Sequence, residues 1–145
     1  LEGNYGPFKL KLEAMHYVFR PANPEGEDTS FVTLGAYDAP YKVASQGTIV
    51  AAGASYGWPL DGSLLTRIAV YNDFSLLKKV KAGYATSYQN TTGALFVTGP
   101  VFTYVDLAFG QNHPWLGPNY GDALVAGSPT APWEARFNIN TGYYF

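Results

Sequence analysis

The sequence predicts an all-β fold: about six antiparallel, up-and-down strands that form part of a transmembrane β-barrel, in one domain covering residues 1–145. Three observations lead there. Apolar and polar residues alternate with a period of two, the connections between candidate strands alternate in length, and aromatic residues gather near strand ends. Charged residues are only 14% of the chain and aromatics 17%, with 12 Tyr and 9 Phe, a balance that suits strands better than helices. The longest apolar runs, such as 48–54 and 94–97, fall far short of the roughly 20 residues a spanning helix needs. A bilayer crossing would therefore have to be made by strands closed into a barrel, because lipid leaves no partner for an open sheet edge.

The elements follow from the alternation. In residues 8–20, Phe8, Leu10, Leu12 and Ala14 oppose Lys9, Lys11 and Glu13. In 64–74, Ile68 and Val70 stand against Arg67, Tyr71 and Asp73, and in 101–109, Val101, Val105, Leu107 and Phe109 stand against Tyr104 and Asp106. Residues 133–145 put Trp133, Ala135, Phe137, Ile139, Thr141, Tyr143 and Phe145 on one face and Glu134, Arg136, Asn138, Asn140, Gly142 and Tyr144 on the other. Two further strands, near 47–58 and 89–98, are less cleanly patterned. Small residues such as Ala51, Gly53 and Ser55 occupy the polar side of the first.

Tight turns are expected at 59–62 and 99–100, from their Gly and Pro, and another at 3–7. The links 21–46, 77–88 and 111–132 are long. Short turns thus fall at one end of the sheet and long loops at the other, as in outer-membrane barrels. Residues 31–37, turned back at 38–40, are expected to form a hairpin within the first long loop. Trp58, Phe74, Phe102, Phe109, Trp133 and Tyr143 lie near strand ends, where interfacial girdles are expected. A soluble antiparallel sheet with one wet face shows the same alternation, and the loop asymmetry and aromatic placement favour the membrane over it.

The ending 137–145, which finishes on Phe145 with apolar residues at alternate positions before it, resembles the C-terminal strand of bacterial outer-membrane barrel proteins. The remaining chain resembles porin-like barrels in a general way. The resemblance implies a place in the bacterial outer membrane and passive diffusion of small hydrophilic solutes or ions. It also implies contact with lipid and lipopolysaccharide, and a homotrimeric state of the kind common among porins. By the same resemblance, Phe137, Ile139, Thr141, Tyr143 and Phe145 would be read by the barrel-assembly machinery, with Thr141 the polar exception. The chain would then be the C-terminal portion of a larger barrel, since known barrels have at least eight strands. The alternative is a small non-conducting barrel, or a soluble β domain with a binding or adhesion role.

On the porin reading, Lys9, Lys11, Glu13, Arg67, Asp73, Asp106, Glu134 and Arg136 line the lumen. Four are cationic and four anionic, so no strong ion preference is expected. Loop 111–120 carries aromatics among turn formers and is expected to pack as a cap, with stacking on a sugar-like solute as the alternative. The acidic cluster Glu25, Glu27 and Asp28 matches no calcium loop and reads as a solvated surface; a divalent cation shared with lipopolysaccharide is the sharper alternative.

Other classes find little support. The chain has no cysteine, which excludes disulfides and thiolate sites. A net charge of -2 with scattered signs offers no basic stripe for nucleic acid. No nucleophile elbow, H-E-x-x-H motif or phosphate-binding Gly loop is present, and His16 and His113 lie on different elements, so neither an enzyme nor a metal or cofactor site is expected. No basic and apolar leader opens the sequence at Leu1, so any targeting signal is expected upstream or already removed.

Overall fold

A computed structural model describes residues 1–145 except Tyr37 and Ser63. Nine strands run in chain order: β1 (Glu2–Tyr5), β2 (Phe8–Val18), β3 (Phe31–Ala36), β4 (Ala39–Ala44), β5 (Gln46–Pro59), β6 (Arg67–Lys79), β7 (Ser87–Thr98), β8 (Val101–Gln111) and β9 (Glu134–Tyr143). Seven form one antiparallel sheet in the order β1-β2-β5-β6-β7-β8-β9, and β3 and β4 pair as a separate hairpin. No helix occurs among the described residues. The fold is all-β and antiparallel; β1 and β9 are the sheet's two edges and do not pair with each other.

All six expected strands are present, and the hairpin lies inside the first long loop; Tyr37, expected at the end of its first strand, is outside the described residues. Four details differ. Residues 2–5, read as part of a turn, form the extra strand β1, and only 6–7 turn, with Gly6 at φ +62°. The tight turn expected at 59–62 becomes the link 60–66, because Pro59 still lies opposite Arg67 in the ladder. β6 continues past Phe74 to Lys79, which shortens the following link to 80–86. Phe102 stands opposite Gly142 and Val97, on the face of Arg67, and so does not belong to the apolar-face aromatics.

Cross-strand partners share a face, so the register assigns every side chain. One row reads Phe8, Tyr56, Val70, Ala94, Val105 and Ile139; the next reads Leu10, Ala54, Asn72, Thr92, Leu107 and Phe137. From the Trp58–Ile68 row to the Ala14–Val50–Leu76 row this face carries no Asp, Glu, Lys or Arg among the described residues. That stretch, from Ile68 to Leu76 on β6, covers about 26 Å of strand. Aromatic side chains mark both ends of it. Phe8, Tyr56 and Trp58 stack at the short-turn end, with centroids 4.6 and 4.4 Å apart, and Phe74, Tyr88 and Trp133 gather at the other, 6.4 and 5.9 Å apart.

The burial is inside out. On this apolar face Leu12 is 57% exposed, Phe137 60% and Ile139 61%, whereas along β5 the opposite face keeps Ala51, Gly53 and Ser55 half-buried and Gly57 buried. No bulky side chain is fully buried among the described residues. Covering a large apolar side chain is worth roughly 1.5 to 3 kcal/mol, so a water-soluble sheet of this kind would forgo the main favourable term in folding.

Close strand contact depends on small residues. A Cβ at Gly93 would stand 2.6 Å from the Val105 carbonyl oxygen, a backbone atom that cannot move aside without disturbing the β7–β8 ladder. Gly93→Ala is therefore expected to cost about 1 to 3 kcal/mol, as overpacking does. Denaturant unfolding of the folded chain in detergent measures it, and a variant as stable as the parent would contradict this packing.

Candidate functional site

The polar face is built by the same register. Successive rows across β2, β5, β6, β7, β8 and β9 read Lys9, Ser55, Tyr71, Gly93, Asp106, Asn138; then Lys11, Gly53, Asp73, Thr91, Ala108, Arg136; then Glu13, Ala51, Ser75, Gln89, Gly110, Glu134. Arg67 lies nearer the short-turn end, opposite Pro59 and Val97. All eight ionisable residues singled out from the sequence therefore share one face. Glu2 joins them opposite Lys11, and Lys79 lies farther along β6 toward the long loops.

Small residues give the long polar side chains somewhere to lie. The Asp73 carboxylate reclines over Gly53, its cross-strand partner, and Arg67 crosses onto β5 so that Nη2 stands 2.8 Å from the position a Gly57 Cβ would take. Glu2 pairs with Lys9 at 2.6 Å, and Asn138 Nδ2 donates to Asp106 Oδ2 at 3.2 Å. No ion pair among the described residues involves Lys11, Arg67 or Arg136.

At the long-loop end the three long connections lock together over this face. Residues 119–126 dock along β4: Lys42 N donates to Gly121 O at 2.8 Å and Ala44 N to Leu124 O at 2.9 Å. Lys79 Nζ donates to Ala123 O at 2.9 Å, Ser87 Oγ to the same carbonyl at 3.2 Å, and Leu116 packs directly on Gly110. Val43, Ala44, Leu116, Ala123 and Val125 are buried here, so most of the apolar core sits in the cap, with Ala69 on β6 the buried apolar side chain of the main sheet among the described residues. Asn112 holds the loop's first bend. It has φ +53°, its amide donates to Thr86 O and Ser128 O at 3.1 and 2.9 Å, and it accepts from Ser128 N at 2.8 Å.

The loop aromatics pack on their neighbours: Trp115 meets Tyr120 at 4.9 Å, and Tyr120 meets Tyr41 at 5.8 Å. His113 is part-buried, and its desolvation pushes the imidazole pKa down; Nδ1 accepts from Trp115 N at 3.3 Å. His16 lies on the opposite face near the long-loop end, between Thr48 Oγ1 at 2.9 Å and Gln46 Nε2 at 3.1 Å. Of the acidic cluster, Asp28 makes contacts within the cap: its carboxylate accepts from Ser30 N and Oγ, both at 2.8 Å, and from Lys81 Nζ at 3.1 Å. No group of three or more potential metal ligands converges among the described residues.

Of the residues expected to serve as an assembly signal, Phe137, Ile139, Thr141 and Tyr143 lie on the apolar face of the edge strand β9; Phe145 follows two residues beyond it, its ring 6.1 Å from Tyr143. The sequence reading missed Lys79, because it ended β6 at Phe74. Carrying the two-residue period on through Ser75 and Leu77 puts Lys79 on the polar face. No protein-family model, curated protein or solved structure matches the chain.

Two predictions follow from the cap. Asn112→Ala removes three hydrogen bonds and leaves a left-handed backbone to alanine, so a local loss of about 2 to 4 kcal/mol is expected, seen as faster amide exchange at Ser128. Asp28 is held down from 3.8 to about 2, first by the Ser30 amide, then by its hydroxyl and the Lys81 ammonium. A depressed carboxyl contributes stability above its unfolded value and loses it as pH falls through the folded one. The Ser30 and Lys81 contacts should therefore persist at pH 4 and disappear toward pH 2. An Asp28 carboxyl titration by NMR with a midpoint near 4 would overturn this.

Proposed function

We propose that the chain is the C-terminal portion of a porin-like barrel of the bacterial outer membrane, which lets small hydrophilic solutes or ions diffuse passively. One observation carries the reading: every charge in the middle of the sheet lies on one face, and the other offers lipid an uncharged, exposed apolar surface bounded by aromatic side chains. Strands β2 and β5–β9 have 10 to 14 residues, against the roughly 9 to 11 a tilted membrane strand needs. The apolar stretch compares with a band of about 25 Å in outer-membrane barrels.

In this reading Lys9, Lys11, Glu13, Arg67, Asp73, Asp106, Glu134 and Arg136 keep a lumen wet, and the cap narrows its long-loop end. Phe8, Tyr56 and Trp58 meet one membrane interface and Phe74, Tyr88 and Trp133 the other. The exposed edge of β9 presents Phe137, Ile139, Thr141, Tyr143 and Phe145 to the assembly machinery. Lipid and lipopolysaccharide cover the apolar face, and a trimer is the proposed assembly.

Leu107 lies in mid-face, where a charge faces hydrocarbon; a Lys or Arg there costs roughly 2 to 4 kcal/mol, and Asp somewhat less. Leu107→Asp should block assembly into lipid vesicles, and a variant that folds normally in water would refute the membrane reading. On a semi-native gel of outer-membrane extract, the native protein should shift on heating to a band well above 15.8 kDa. A band at 15.8 kDa with no heat shift would favour a small binding or adhesion domain instead.

A further inference from the structure

The ionisable groups of the polar face are not evenly engaged. Between β2, β5 and β6 a groove of about 330 Å3 opens, lined by Lys9, Lys11, Arg67, Asp73, Tyr71 and Tyr104, with Gly53 and Ser55 at its base. It is at the small end of the roughly 300 to 1,000 Å3 typical of small-molecule sites. Three cations line it against one carboxylate. Glu2 is taken up by Lys9, and Asp106, on the same face across Gly93 from Tyr71, receives a hydrogen bond from Asn138.

Lys11 and Arg67 approach the groove from different strands, β2 and β6, with no ion pair to quench them among the described residues. The Arg67 guanidinium lies over Gly57, whose missing side chain gives it room, and Arg67 lines the groove beside it. Tyr71 and Tyr104 meet edge to face at 6.2 Å and add two phenols, and Ser55 adds a hydroxyl. Donors therefore outnumber acceptors by a wide margin.

We propose that this groove is a binding subsite for small phosphate monoesters, a proposal that rests on reading the polar face as water-filled. A guanidinium presents paired N–H donors that match a tetrahedral oxyanion, and an ammonium adds a second positive charge. In this proposal Arg67 and Lys11 draw the dianionic phosphoryl group into the groove, while the phenols and Ser55 accommodate the hydroxyls of the esterified polyol. Asp73, whose carboxylate lies over Gly53 in the floor of the groove, accepts from those hydroxyls and disfavours a ligand charged at both ends. The neutral overall count of the eight lumen-facing residues thus conceals a local preference for anions.

The test is titration of the full chain, folded in zwitterionic detergent, with glycerol 3-phosphate and separately with glycerol. Glycerol 3-phosphate should bind, with an affinity that falls as salt rises, and glycerol should not. Arg67→Gln and Lys11→Gln should each weaken binding about tenfold or more, the loss of one charge-assisted contact. Lys78→Gln, on the opposite face beside Thr48, should leave it unchanged. Equal affinity in the parent and R67Q, or equal binding of glycerol, would overturn the subsite. A chain that assembles into vesicles yet shows no phosphate-dependent binding would overturn the subsite alone. Phosphate binding by a chain that stays soluble without detergent would overturn the membrane reading and keep the subsite.

Discussion

The structure depends first on the pairing register of its antiparallel ladder. Side chains alternate along each strand and cross-strand partners share a face, so one set of backbone hydrogen bonds decides which residues meet. A slip of one residue between β2 and β5 would carry Lys9, Lys11 and Glu13 to the side of Tyr56, Ala54 and Ala52. Six consecutive pairings hold the alternation without such a slip, which is why eight separated ionisable residues reach one surface. Polar-face glycines complete the arrangement, because Asp73 and Arg67 lie down only where no Cβ stands in the way.

The cap obeys a different physics. Its segments are irregular, so their backbone groups need individual partners, and Asn112, Lys79 and Ser87 supply them through side-chain bonds to carbonyls. The apolar packing that a soluble domain would put at its centre is found here instead, around Val43, Leu116 and Val125. Hairpin and loops thereby stabilise one another, and the sheet below is left with two accessible faces and two open edges.

How much of this was legible in the sequence differs by element. The period-two pattern placed the six long strands and eight of the polar-face charges, leaving out Glu2 and Lys79, because alternation is a local property that register only has to preserve. The edge strand β1 was hidden: Glu2–Tyr5 has too few residues to show a period, and its glycine read as turn chemistry. The far end of β6 was hidden for another reason, since Leu76 and Leu77 break the alternation where the cap covers the polar face. Docking of 119–126 along β4 left no local signal, because it joins residues about 80 positions apart through backbone atoms alone. The groove at Lys11 and Arg67 needed the register, since the two residues are separated by all of β5 and the loops before it.

The order of the seven-stranded sheet sets a parity condition on any closed form of it. With every neighbour antiparallel, the first and seventh strands, β1 and β9, run in the same direction. Joining those edges directly, or ringing several copies head to tail, would force a parallel seam wherever β9 met β1. A cylinder that keeps all contacts antiparallel must insert an odd number of further strands between these edges. Its total is then even, as in bacterial outer-membrane barrels.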